Sequence, residues 1–349
     1  MECQLNTAPM VGRSTMRAVV SLYILLLLSS APSFATSCKI DLANLERIRS
    51  LRVAVVGDVM LDELTYVVDR NRLSPESQVA QDYLWHSEEI FPGGAANVAL
   101  NAKRLGAEVF LMAPIGRDEA GYKLVDLLER LRITTRFDRN GLIFADDRVT
   151  TVKARCLRID NAAHVHRISR ETQTPIGLEL ETEILERIKF RKPHVIILSD
   201  YAKGVVTPSL SQQIIQWAAK NNSIVVVDPK GQNYQKYRGA TLVKPNRSEL
   251  EDLSQRSITD TDVPALLQKL KDDFGIEIAM ATLSHSGMIA LNAQGNILRQ
   301  PTLAANVVDV TGAGDSTTAA IALSLAAQFS LQDSLIIACL LYTSDAADE

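Results

Sequence analysis

Cysteine is scarce in this chain and follows no pattern. Cys3, Cys38, Cys156 and Cys339 are scattered, with no CxxC pair. Neither a zinc site nor a disulfide framework follows from them. Histidine is as sparse, with five residues and no ligand-spaced cluster. His164 and His166 alternate along a strand-like stretch and read as surface residues. Strong net charge is also missing: the balance is −4 and the pI is near 5.8. That removes the electrostatic case for a nucleic-acid partner. There is no internal repeat and no low-complexity tract. What remains is an ordinary globular composition of 349 residues, 46% apolar and 22% charged. It suits one large domain or two modest ones.

Residues 1–38 read as an addition to the fold. Arg13 and Arg17 precede an apolar run from Ala18 to Leu28, and Ser33-Phe34-Ala35 follows. This is the charged, apolar and small-residue order of a secretory signal. The run is short for a membrane span. An over-long start, a targeting segment and a short anchor all fit, and the first is favoured.

From there strands and helices alternate. Leu51 to Val56, Val109 to Ala113, His194 to Leu198, Ile224 to Asp228, Thr241 to Asn246 and Ile276 to Leu283 read as strands. Ala120 to Leu131, Leu178 to Phe190, Ser209 to Lys220 and Ser316 to Phe329 read as helices. The alternation predicts an α/β fold, with a mostly parallel central sheet covered by helices on both faces. Two polar, alternating stretches, about 64–90 and 142–170, stand outside this rhythm and predict a small β lid. The domain is expected to span residues 39–338.

The chain is organised around Val308-Asp309-Val310-Thr311-Gly312-Ala313-Gly314-Asp315. A β-like run from Ala305 enters it and an Ala-rich helix leaves it. The glycines let the backbone turn sharply and approach a ligand. The free N–H groups of the helix start then favour an anion. Asp315 is badly placed to hold phosphate but well placed to take a proton from an attacking hydroxyl. The plainer alternative is an N-cap. Phe91-Pro92-Gly93-Gly94-Ala95-Ala96-Asn97 is a second glycine turn opening an Ala-rich helix. Asn97 offers both a donor and an acceptor to a sugar hydroxyl, or a cap to the helix.

Further candidates sit at strand ends, where α/β sheets meet ligands. Asp58 and Asp62 follow the first strand as sugar-hydroxyl ligands, with turn capping as the alternative. Lys153 and Arg155 share one face of a strand and could meet a substrate phosphate or form a solvated face. Lys203 and Lys230 lie at strand ends. Asn246 and Glu249 have the spacing of a Mg²⁺–phosphate network and equally of a capping box.

The two glycine stretches together resemble the paired signatures of the PfkB (ribokinase-like) carbohydrate kinases. Leu198-Ser199-Asp200-Tyr201-Ala202-Lys203-Gly204, Asp228-Pro229-Lys230-Gly231 and Tyr237 to Leu242 further resemble the heptose 7-phosphate kinases of the ADP-heptose pathway. In many bacteria these are fused to an adenylyltransferase. The resemblance covers roughly residues 43–338. It implies phosphorylation of the anomeric hydroxyl by ATP with Mg²⁺, in the cytoplasm, by a homodimer paired through lid strands. It implies Asp315 as base, and Thr311, Gly312, Ala313 and Gly314 as the anion hole. Asn246, Glu249, Lys230, Ser284 and Gly287 fall on the ATP side. Asp58, Asp62, Gly93, Gly94, Asn97, Lys153, Arg155 and Lys203 fall on the sugar side. Another PfkB sugar or nucleoside kinase, or a non-catalytic binder, are the alternatives. After Ala338 the pattern departs: residues 339–349 resemble a translated sequencing adapter, and the native sequence is expected to diverge there.

Overall fold

The computed structural model describes residues 42–73, 81–133, 141–302 and 312–345. Its centre is an eight-stranded sheet. The strands are β1 (Arg52–Gly57), β4 (Glu108–Met112), β9 (Val195–Ser199), β10 (Ile224–Asp228), β11 (Leu242–Val243), β12 (Ile278–Thr282), β13 (Met288–Leu291) and β14 (Ile297–Gln300). The order is β14-β13-β12-β11-β10-β9-β1-β4. The six strands from β12 to β4 pair in parallel, and β13 and β14 add an antiparallel edge. Val53, Val55, Ile196, Ile197 and Val226 are fully buried. A parallel strand covered on both faces needs such continuous apolar runs.

Helices supply the cover. On one face α4 (Leu178–Arg191), α5 (Pro208–Lys220) and α7 (Val263–Phe274) bury Ile184, Ile188, Leu210, Ile214, Leu267 and Leu270 against the strands. On the other lie α2 (Ala95–Arg104) and α8 (Ala313–Ala326), with α9 (Leu331–Asp345) packed on α8. Every residue from Asp315 to Ser324 is buried. Small side chains allow this, because Ala, Ser and Thr let α8 lie against α2, β9 and β10 together. The remaining helices are α1 (Leu42–Ile48), α3 (Glu119–Arg130) and α6 (Arg247–Ser254).

A second sheet of four strands forms the lid: β2 (Val59–Leu73), β3 (Gln81–Gly94), β7 (Thr151–Arg158) and β8 (His164–Arg170), in the order β3-β2-β7-β8. Strand β2 leaves the central sheet directly after Asp58, and β3 returns into α2 at Gly94. The glycine turn therefore joins the lid to the body. A short pair, β5 (Pro114–Gly116) and β6 (Ile143–Ala145), lies apart. The antiparallel edge was missed in sequence because Met288 to Leu291 is a short apolar run without periodicity. The β-like run before Gly312, and Thr311 itself, lie outside the described residues.

Gly57 ends β1 at its tightest point. A Cβ built there would stand 2.0 Å from the Ser199 carbonyl oxygen on β9. That contact is backbone on both sides and cannot swing away. Gly57→Ala is expected to cost about 2–5 kcal/mol of stability, read as a lowered urea midpoint. An unchanged midpoint would remove the constraint.

Candidate active site

Asp315 occupies the first turn of α8 and is 5% exposed. Its carboxylate is met from two directions. The Asn97 amide donates to Oδ2 at 2.9 Å, from α2, and the Tyr201 hydroxyl donates to Oδ1 at 2.7 Å, from the loop after β9. Gly312 caps α8 with φ of 85°, which favours glycine, and a Cβ there would stand 3.3 Å from the Asn97 amide nitrogen. Asn97 is thus turned to Asp315 rather than used as a cap. The N-cap of α2 is Gly94, with no side-chain cap bond.

Burial pushes the Asp315 carboxyl up to about 7, and the nearby Asp228 charge adds to it. Tyr201, Asn97 and Lys244 pull in the other direction. A carboxylate poised there can accept a proton near neutral pH.

On one side of Asp315 lies a cleft of about 200 Å³. Asp228, Lys230, Asn246, Glu249, Thr282, Gly312 and Gly314 line it with Asp315. These come from the carboxyl ends of β10, β11 and β12 and from the start of α8. Lys244, also in its lining, is 2% exposed, with Nζ 3.1 Å from Asp228 Oδ1. The Thr318 hydroxyl donates to the other Asp228 oxygen at 2.8 Å. Burial opposes the Lys244 charge, but Asp228, Glu249 and Asp315 more than offset it and hold its pKa up. Asn246 and Glu249 do form a reciprocal capping box, and Lys230 Nζ reaches Glu249 Oε1 at 3.1 Å. The oxygen donors here suit a hydrated hard cation. Among the described residues no three His, Cys, Asp or Glu are grouped to ligate a metal directly.

On the other side is the lid. Asp62 and Lys153 are register partners on β2 and β7. Burial pushes the Asp62 carboxyl up, against Lys153, Arg155 and Arg167. Its Oδ1 is buried with no hydrogen-bond partner among the described residues. Gly93 and Gly94 are needed here. Cβ atoms would stand 2.2 Å from Asp62 Oδ2 and 2.4 Å from the Asp58 carbonyl oxygen. Lys153 Nζ lies 5.1 Å from the centre of the Tyr201 ring. Arg155 faces Arg167 across β7 and β8.

Four expected residues are turned elsewhere. Asp58 accepts the backbone N–H groups of Tyr201, Lys203 and Val205 at 2.8–3.1 Å, so its carboxylate holds the loop after β9. Lys203 Nζ is paired with Glu171 at 2.7 Å. Ser284 and Gly287 form the turn between β12 and β13, away from the lining of the cleft. Tyr201, Asp228 and Lys244 were not assigned a role from sequence. A lysine closing an apolar strand, as in Leu242-Val243-Lys244, was the available signal for one of them.

Comparison with known proteins gives the family and the fold. The description "pfkB family carbohydrate kinase" matches residues 50–341. The chain belongs to the pfkB family of carbohydrate kinases. As a pfkB kinase it is an ATP-dependent sugar kinase. The bifunctional protein HldE of Helicobacter pylori strain G27 is 37% identical over 286 residues, covering 81% of this chain and 60% of that protein. HldE of Citrifermentans bemidjiense is 37% identical over 297 residues, covering 84% and 59%. The chain therefore spans about three-fifths of the length of these curated relatives. Among solved structures, the tetrameric inhibited form of phosphofructokinase-2 from Escherichia coli has a TM-score of 0.70 at 19% identity, covering 85% of this chain and 94% of that one. Arabidopsis thaliana ribokinase with ribose and ATP has a TM-score of 0.63 at 18% identity, covering 83% and 90%. These two show the ribokinase-like fold of this pfkB chain.

Lys244 is a buried cation in the lining of the kinase cleft. Lys244→Met would leave the Asp228 charge without its partner, at a cost of about 3–5 kcal/mol. Thermal and urea denaturation check this, and a loss below about 1 kcal/mol would show that Asp228 finds another partner.

Proposed function

We propose that this kinase transfers the γ-phosphoryl group of ATP to the anomeric hydroxyl of D-glycero-β-D-manno-heptose 7-phosphate, giving the 1,7-bisphosphate for ADP-heptose biosynthesis. The observation that carries the proposal is Asp315, buried between Asn97 and Tyr201 and lining the cleft. Tyr201 belongs to the Ser-Asp-Tyr-Ala-Lys-Gly stretch that resembles the heptose kinases.

In this reading Asp315 takes the proton of the sugar hydroxyl as its oxygen attacks the γ-phosphorus. The bond from that phosphorus to the bridging oxygen of ADP breaks. The N–H groups of Gly312, Ala313 and Gly314 stabilise charge on the moving phosphoryl group. Lys230 and Lys244 balance the negative charge of the cleft. Asn246 and Glu249 orient the water shell of a Mg²⁺ ion. That ion supplies charge neutralisation on the phosphates when bound.

Asp62, Gly93, Gly94 and Asn97 shape the sugar pocket, with Asp58 acting through the loop it holds. Lys153 and Arg155 meet the 7-phosphate. Dependence on ATP puts the chemistry in the cytoplasm. No helix among the described residues is long and apolar enough to cross a membrane.

A panel of acceptors with ADP release as readout tests the substrate. Heptose 7-phosphate is the expected acceptor. Turnover of fructose 6-phosphate or ribose with none of heptose 7-phosphate would sink that choice. Asp315→Asn should lower kcat by several orders of magnitude with little change in sugar Kd. The base works only as its carboxylate, and burial pushes the Asp315 carboxyl up to about 7. Activity of the native chain should therefore fall as pH drops below about 7.

The same proposal includes a homodimer through the lid. Leu84, Trp85 and Ile168 on its strands are 49%, 62% and 69% exposed, more apolar surface than a solvated sheet usually shows. Sedimentation should find a dimer that Trp85→Lys weakens. A monomer at micromolar concentration would exclude it.

A further inference from the structure

We infer that Tyr201 is a positioning residue for the base, fixing one Asp315 oxygen so that a free lone pair is left for the incoming sugar hydroxyl. The inference rests on the reading of Asp315 as the base. A carboxylate oxygen has two acceptor sites. Asn97 uses one site on Oδ2, and the Tyr201 hydroxyl uses one on Oδ1. The carboxylate then cannot rotate without losing both donors, and among the described residues each oxygen keeps one unused site.

Tyr201 is itself gripped at three points. Its backbone N–H is held by Asp58 Oδ2 at 2.8 Å, and its ring lies under the Lys153 ammonium. Its hydroxyl is on Asp315. The next residue is held too, because Ala202 N–H donates to Asp200 Oδ1 at 2.7 Å. Asp200 in turn accepts from the Tyr237 hydroxyl at 2.7 Å and from Lys236. The loop is a bracket with one end on β1, one on the lid and its tip on the base. The bond from the Tyr201 hydroxyl to Asp315 is the part of this arrangement that closing the turn between β9 and α5 does not need.

The bracket also decides the charge of the base. Asp228 faces Asp315 from β10, with Lys244 paired to Asp228, and Lys230 and Glu249 line the cleft beyond. Asp62 and Lys153 approach from the lid. Burial and Asp228 favour the protonated, inactive carboxyl, and the donors from Tyr201 and Asn97 favour the carboxylate. Tyr201→Phe keeps the ring under Lys153 and removes only the donor.

Tyr201→Phe and Asp315→Asn are compared with the native chain, using Mg·ATP and the acceptor that the panel selects. Tyr201→Phe should keep the native melting temperature and a sugar Kd within about threefold. It should lose about tenfold in kcat at pH 7. The acid limb of its kcat/KM profile should move up by about one pH unit, so that part of the rate returns at pH 9. Replacing Tyr201 with 3-fluorotyrosine, a stronger donor of the same shape, should move the limb down. A limb that stays in place in both variants overturns the inference, even if kcat falls, because packing alone would then explain the loss. The base assignment survives that result if Asp315→Asn is inactive. An active Asp315→Asn overturns the base and this inference together.

Discussion

A buried carboxylate is the constraint on which the rest of this structure depends. Asp315 sits at 5% exposure beside a second carboxylate, Asp228. Two such charges are tolerated only where donors and a cation meet them. The chain supplies these from distant places: Asn97 from α2, Tyr201 from the loop after β9, Lys244 from the end of β11 and Thr318 from α8 itself. Four elements must be in register before the charge is compensated. The parallel sheet provides that register, because β9, β10 and β11 end side by side at one edge.

The same need for close approach explains where glycine is required. Gly57, Gly93 and Gly94 stand where any Cβ would strike backbone or the Asp62 carboxylate. All three cluster at the root of the lid. The chain passes there from body to lid after β1 and back again before α2. Larger residues would separate the two sheets and draw Asp62 and Lys153 away from Tyr201. The glycines therefore act at the root of the lid by allowing proximity, and of the three only Gly94 also has a positive φ, as Gly312 does at the start of α8.

The fold was largely legible because its signals are local. Valine-rich runs and amphipathic helices declare themselves within a dozen residues, and Gly-Ala-Gly-Asp announces a helix start beside an anion. The site was legible in its nouns and less so in its grammar. Asp58 was read as a sugar ligand because it ends a strand, yet its two oxygens are turned to three backbone N–H groups 143 to 147 residues away. Which atom a carboxylate faces depends on the crossing of β1 and β9, which no local pattern records. Asn246 and Glu249 show a different limit. A capping box and a cleft wall require the same spacing, and here the two residues do both.

The lid strands share their work between two faces by the alternation of β-structure. Asp62 and Lys153 point towards Tyr201, while their neighbours Glu63, Val152 and Ala154 line a separate hollow with Glu119, Ala120 and Lys123 of α3. A one-residue slip of β2 against β7 would exchange these sets and carry the cations out of the site. Register here is held at the ends, by Ala95 N–H on the Asp58 carbonyl and by Thr150 between Gly116 and Asp118. Those anchors belong to the body, not the lid. The position of Lys153 is thus set by backbone bonds at the root of the lid, and a change at Thr150 or Asp118 would reach it through strand register without touching its side chain.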